Sequence, residues 1–138
     1  MDELQGCERV LNVINFGRRL NREIIKDIED KYKAKVDEVF VKVNLNLKKT
    51  SYIQCVDIIS SIPGKILDGH HKIAINPPGL PIAAICLVTE LHARIGYFPL
   101  LLELYRDKTQ DPLFNDFKLR RIIDLERERQ VSRSKMFE

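Results

Sequence analysis

The chain has few of the residues and motifs that mark a common chemistry. Its three cysteines, Cys7, Cys55 and Cys86, are odd in number and never spaced as CxxC, which argues against a disulfide framework and a zinc site. No Gly-x-Ser-x-Gly elbow, phosphate loop or Gly-x-Gly-x-x-Gly fingerprint occurs, so a nucleophile elbow and the usual dinucleotide grip have no sequence basis. No apolar run approaches a membrane span, and the longest, Ile82 to Val88, is core-sized. The first residues, Met1 to Gly6, lack a basic region followed by an apolar one, so no secretory signal is expected and the cytoplasm is the natural compartment. There is no repeat, low-complexity segment or linker. The net charge of +3 is small, which speaks against long nucleic acid. Basic pairs at Arg18-Arg19, Lys48-Lys49 and Arg120-Arg121 still permit a local pocket for a small polyanion.

What is present is one domain's worth of chain, expected over 1–138 with loose termini at 1–8 and 132–138. With 138 residues, 44% apolar and 31% charged, it can bury a core. Strand and helix patterns alternate. Val10 to Asn15 reads as a buried strand, and Asn21 caps a helix carrying Ile24, Ile25 and Ile28 at helical spacing. Val39 to Val43 reads as a second strand. Thr50 or Ser51 caps a second helix with Ile53, Val56, Ile58 and Ile59 inward, ended by Pro63-Gly64. Cys55 and Cys86 fall in these apolar helical runs as small core residues.

The most informative stretch follows. Ile73 to Ile75 is a short strand that stops at Asn76, turns through Pro77-Pro78-Gly79-Leu80 and opens a helix at Pro81. Proline at the first helical position sacrifices no hydrogen bond, and the helix start presents free N–H groups and a positive dipole end. Phe98 to Tyr105 is a fourth, nearly continuous apolar strand and so interior. Asp107 to Phe114 reads as a connection. Leu119 to Leu125 is taken as a fifth strand with Glu126 to Ser134 a charged helix, and one helix from Asp116 to Arg133 is the rival.

This alternation predicts an α/β fold: a parallel sheet with helices on both faces and strand order 2-1-3-4-5. Ligands of such sheets bind where the order reverses. The flanking loops are Asn15-Phe16-Gly17-Arg18-Arg19 and Asn76-Pro77-Pro78-Gly79-Leu80, which makes these ten the candidate ligand residues. Gly17 and Gly79 allow backbone approach, Phe16 can stack on a base, and the arginines can hold phosphates bidentately. The plain alternative is a surface turn with solvated charges beside a stiff proline turn. Lys42 and Asn44 are a possible cleft wall or an ordinary loop. His70-His71 is weak metal evidence at the far edge, and His92 reads as a satisfied, half-buried histidine near a Glu90–Arg94 helical pair. No carboxylate–histidine pair falls in either cleft loop, so no general base is visible. The third helix, apolar on every side from Ile82 to Val88, has one face for the sheet and one for a second subunit.

Asn15-Phe16-Gly17, Pro78-Gly79-Leu80 with its Ala-rich helix, and Glu90-Leu91-His92-Ala93-Arg94 running into Gly96-Tyr97-Phe98-Pro99 together resemble a small family of CRISPR-associated accessory proteins. The family is found beside type III CRISPR systems and is similar to CARF-type, Rossmann-like proteins that bind cyclic oligoadenylates. The resemblance covers residues 10–130. It implies a Rossmann-like homodimer that holds cyclic tetra-adenylate at the loops of Asn15 and Asn76, with no cofactor and no metal. Relatives carry a Ser-His-Pro type sequence where Gly17-Arg18-Arg19 stands here, so arginine contacts would replace a histidine. Two activities are expected in order: capture of the messenger, which damps antiviral effectors, and alternatively ring nuclease cleavage to linear products.

Overall fold

A computed structural model describes residues 9–107 and 117–136 of the chain. Cys7, the termini at 1–8 and 137–138, and the expected connection beyond Asp107 lie outside the described residues. The elements run β1 (Val10–Asn15), α1 (Arg22–Tyr32), β2 (Lys35–Phe40), α2 (Ser51–Ser60), β3 (Ile73–Asn76), α3 (Pro81–Ile95), β4 (Leu100–Arg106), β5 (Phe117–Asp124) and α4 (Leu125–Met136).

They build an α/β structure around one five-stranded sheet of order β2-β1-β3-β4-β5. The order is the expected one, but the sheet is mixed. β1, β2, β3 and β4 are parallel, whereas β5 runs antiparallel to β4. The ten residues 107–116 between β4 and β5 explain this difference, because a parallel crossover takes a dozen or more residues and usually a helix. The strand reading of this region holds over the single-helix rival, with β5 starting at Phe117 rather than Leu119.

Side-chain alternation along the strands divides the core into two layers. Leu11 and Val13 of β1 and Ala74 of β3 face α1, where Ile24 and Ile28 cover them. Ile14, Ile73 and Ile75 face α2 and α3, against Cys55, Ile59, Leu87 and Leu91. Burial pushes the Cys55 thiol's pKa up, and the nearby Cys86 adds to the shift. β1 and β3, flanked by strands on both sides, are buried almost throughout.

The helix ends follow from local chemistry. Asn21 Oδ1 accepts from Ile24 N at 2.8 Å, capping α1. α3 starts with Pro81 at its first position and ends at Gly96, whose φ of 85° is the left-handed conformation that closes helices. Several boundaries differ from expectation: β2 already begins at Lys35 rather than Val39, and β4 spans Leu100–Arg106 rather than Phe98–Tyr105. β2 ends at Phe40, and the apolar residues Val41, Val43 and Leu45 leave the strand to pack under α2 and α3. α2 stops at Ser60, where the Ser61 hydroxyl donates to Ile58 O at 2.6 Å, before Pro63 is reached. Within α2 the inward residues are Cys55 and Ile59, whereas Ile53 points outward with 62% of its surface exposed. α4 buries no residue and continues through 132–136, where a loose end was expected. Among the described residues no helix is long and apolar enough to cross a membrane.

Candidate functional site

The carboxyl ends of β1 and β3 meet at the point where the strand order reverses. Asn15 and Asn76 are register partners there, as the last residues of the two strands. Backbone pairing continues one step past β1 and past β2, with Phe16 N donating to Asn76 O at 2.9 Å and Val41 N to Asn15 O at 2.9 Å. Above these ends lies a cleft of about 950 Å³, within the size range of small-molecule sites.

The two asparagines organise this end of the sheet. Asn15 Nδ2 donates to Arg18 O at 3.0 Å and to Glu38 Oε2 at 2.8 Å. Asn76 Nδ2 donates to Arg18 O at 3.0 Å and to Asn15 Oδ1 at 2.9 Å, and Asn15 Oδ1 also accepts from Gly17 N at 2.9 Å. An asparagine amide has two hydrogens to donate, so the donors of both side chains are fully used inside the protein. Both residues are buried, Asn15 completely. Their amide hydrogens thus fold the first loop and fasten it to the second, and of the two expected ligand residues Asn76 lines the cleft while Asn15 lies beneath it.

Gly17 has a steric reason to be glycine. A Cβ there would sit 2.5 Å from Pro77 O and 3.3 Å from Asn76 Nδ2. Gly79 has none, because a Cβ would meet nothing within 4 Å and its φ is not positive. The close approach at Gly17 is made by the neighbouring loop itself, whereas Gly79 faces the open cleft. Phe16 is 5% exposed and packs into the layer beneath α2 and α3, so it forms floor rather than an open stacking surface.

The remaining candidates are distributed around the cleft. Pro77, Pro78, Gly79 and Leu80 line it together with Gly17 and Arg18. Arg19 is exposed but stands outside the lining. Lys42 lines the cleft with Val43 and Leu45, while Asn44 does not. Among the described residues the charged lining is Arg18, Lys42 and Glu103. Glu103 is engaged by Arg121 at 3.4 Å and Arg120 at 3.7 Å, which leaves the cleft's free charge positive. The opposite wall contains Phe117, which the sequence reading missed. Its ring lies 4.4 Å from the Arg18 guanidinium carbon and 5.3 Å from that of Arg106. A fifth strand taken as parallel would carry its amino end to the far side of the sheet. The short connection was the signal that brings Phe117 here.

His70 and His71 lie at the other end of the sheet, beside a smaller cleft of about 320 Å³. His71 Nδ1 is 2.9 Å from Asp68 Oδ1, and His71 O accepts from the Tyr97 hydroxyl. His92 stacks on Phe98 with centroids 4.2 Å apart. Arg94 Nε donates to Glu90 Oε2 at 2.8 Å, as the helical spacing predicts. Among the described residues no group of three or more His, Cys, Asp or Glu is placed to hold a metal ion.

Comparison with family models, curated proteins and solved structures returns no match to this chain.

Proposed function

We propose that the cleft between β1 and β3 captures cyclic tetra-adenylate in type III CRISPR antiviral signalling, holds it intact, and so lowers the free messenger that effectors sense. The observation that carries this reading is the cleft itself: a preformed, largely apolar site at the strand-order reversal whose unpaired charges, among the described residues, are Arg18 and Lys42. Ligands of open α/β sheets settle at this position, phosphates match guanidinium and ammonium groups, and adenine rings match apolar walls. Rossmann-like kinship and a cytoplasmic setting belong to the same proposal. The proline-rich second loop keeps the site preorganised, which limits the ordering cost of binding.

Capture is favoured over cleavage by the identity of the lining. No histidine lines the cleft, and its carboxylate, Glu103, is held by two arginines. Among the described residues a general acid–base pair is thus missing from the lining, although in-line positioning of a ribose hydroxyl could cleave without one.

A two-fold ring suits a two-fold dimer. Ile82 and Ile85 of α3 are 50% and 68% exposed, and Ile53 of α2 is 62% exposed. These residues supply an apolar face that begins where the cleft's second loop ends. The homodimer of this proposal packs through that face, placing two clefts near one axis.

The test is incubation of the full-length protein with equimolar labelled cyclic tetra-adenylate. The reading requires a mobility shift and an intact ring after minutes. Multiple turnovers to linear product would instead identify a ring nuclease, and absence of a shift would reject the messenger as ligand.

A further inference from the structure

We propose that Phe117 is a base-stacking subsite of the cleft, closed in the free protein by Arg18 and opened by exchange when a nucleotide enters. This inference rests on the capture reading above. It starts from the unusual setting of one ring: Phe117 lines the cleft at the beginning of β5, half-buried, with the Arg18 guanidinium 4.4 Å from its centroid. Arg106, its register partner on β4, has its guanidinium at 5.3 Å. Two like charges at one ring repel each other, and among the described residues neither is paired with a carboxylate. The pair is therefore ready to accept an anion.

Arg18 is built to move without disturbing the loop. Its backbone carbonyl is held by the amides of both Asn15 and Asn76 at 3.0 Å, while its side chain is exposed and, among the described residues, held by nothing stronger than the ring. A cation–π contact at an exposed site is weaker than a charge-assisted hydrogen bond to phosphate. An entering nucleotide thus supplies both replacement partners: its phosphate takes the guanidinium, and its base takes the vacated ring face. Phe16, nearly fully buried, cannot serve as this platform. The ligand class is a nucleotide with an unpaired base, and a phosphate without a base would gain only half of the exchange.

The experiment uses full-length protein and cyclic tetra-adenylate carrying one 2-aminopurine, whose fluorescence falls when it stacks. Binding is followed separately by mobility shift. Wild type should shift the ring and quench it. Phe117→Leu, which keeps an apolar side chain but removes the π-face, should bind about 5- to 150-fold more weakly, the usual worth of one stacked base. At saturating Phe117→Leu the bound ring should stay bright, and Phe117→Tyr should restore both affinity and quenching. Arg18→Met should still quench at saturation while its salt dependence flattens by about 0.7 in log–log slope, the change for one lost phosphate contact on a single strand. Quenching that is equal in wild type and Phe117→Leu, or absent from shifted wild type, would overturn the subsite and leave capture standing. No shift with wild type would overturn both.

Discussion

Substituting Gly17 by alanine tests the physical basis of the site without any ligand. The added Cβ would stand 2.5 Å from Pro77 O, against an ordinary contact of 3.4–4 Å. The obstacle is backbone, and Pro77 is held by its ring and by the adjoining strand end, so no side chain can swing aside. Relief requires the two loops to part by about 1 Å, the shortfall from an ordinary packing distance. Such parting loosens the Gly17 N to Asn15 Oδ1 bond at 2.9 Å and the Asn76 Nδ2 to Arg18 O bond at 3.0 Å. Overpacking costs about 1–3 kcal/mol, and weakening these bonds adds about 1 kcal/mol. The expected loss is about 2–4 kcal/mol, which lowers Tm by about 6–15 °C in a chain of this size. Calorimetry measures it directly, with Gly79→Ala as the matched control. Gly79 faces open space and has no positive φ, so alanine there should leave Tm unchanged or raise it slightly through the unfolded state. Equal melting of Gly17→Ala and wild type would refute the claim that loop contact, rather than chance, places glycine at 17.

Three further predictions follow from separate parts of the molecule. Arg18→Ala should weaken ring binding by about 1–2 kcal/mol, a phosphate contact less the cation–π contact given up, with the deficit shrinking at high salt; His70→Ala, at the far end of the sheet, should bind like wild type in the same titration. Ile85→Glu changes a side chain that is 68% exposed, so it should cost the fold under about 0.5 kcal/mol yet halve the mass seen by light scattering if α3 forms the dimer face. Arg94, through its hydrogen bond and charge, holds the Glu90 carboxyl below its usual range, helped by the Tyr52 hydroxyl; Arg94→Met should therefore raise the Glu90 midpoint in a carboxyl-detected NMR titration. Because the folded value is depressed, the stabilisation is present above the unfolded pKa of about 4.3. The Tm gap between variant and wild type should close as pH falls through the folded value.

Local chemistry was legible wherever one residue decides a boundary. β1 occupies Val10–Asn15, α3 begins at Pro81, and Asn21 caps α1, each as its residues predict. The order of the sheet follows from the alternation of elements, and with it the position of the cleft. What escaped depends on tertiary context. Val41 and Val43 look like strand residues because they are apolar, but they are apolar to pack beneath two helices. Ile53 sits on the outer side of α2, and helical spacing alone does not say which side of an apolar helix meets the sheet. Asn15 and Asn76 had the right location for ligand contact, yet their amides serve each other and Arg18 O, a pairing across 61 residues that spacing cannot reveal. Phe117 was hidden by one error of direction. The antiparallel course of β5 follows from a connection too short for a crossover, and that length was readable.

Titration calorimetry of the full-length protein with cyclic tetra-adenylate tests the central claim most directly, because it reports affinity, stoichiometry and chemistry in one trace. The account predicts a saturable heat with one ring for two chains, consistent with a two-fold dimer, and a baseline that returns after each injection because the ring is kept intact. No heat of binding would contradict the assignment of the cleft to this messenger, and a sustained heat from continuing turnover would contradict capture.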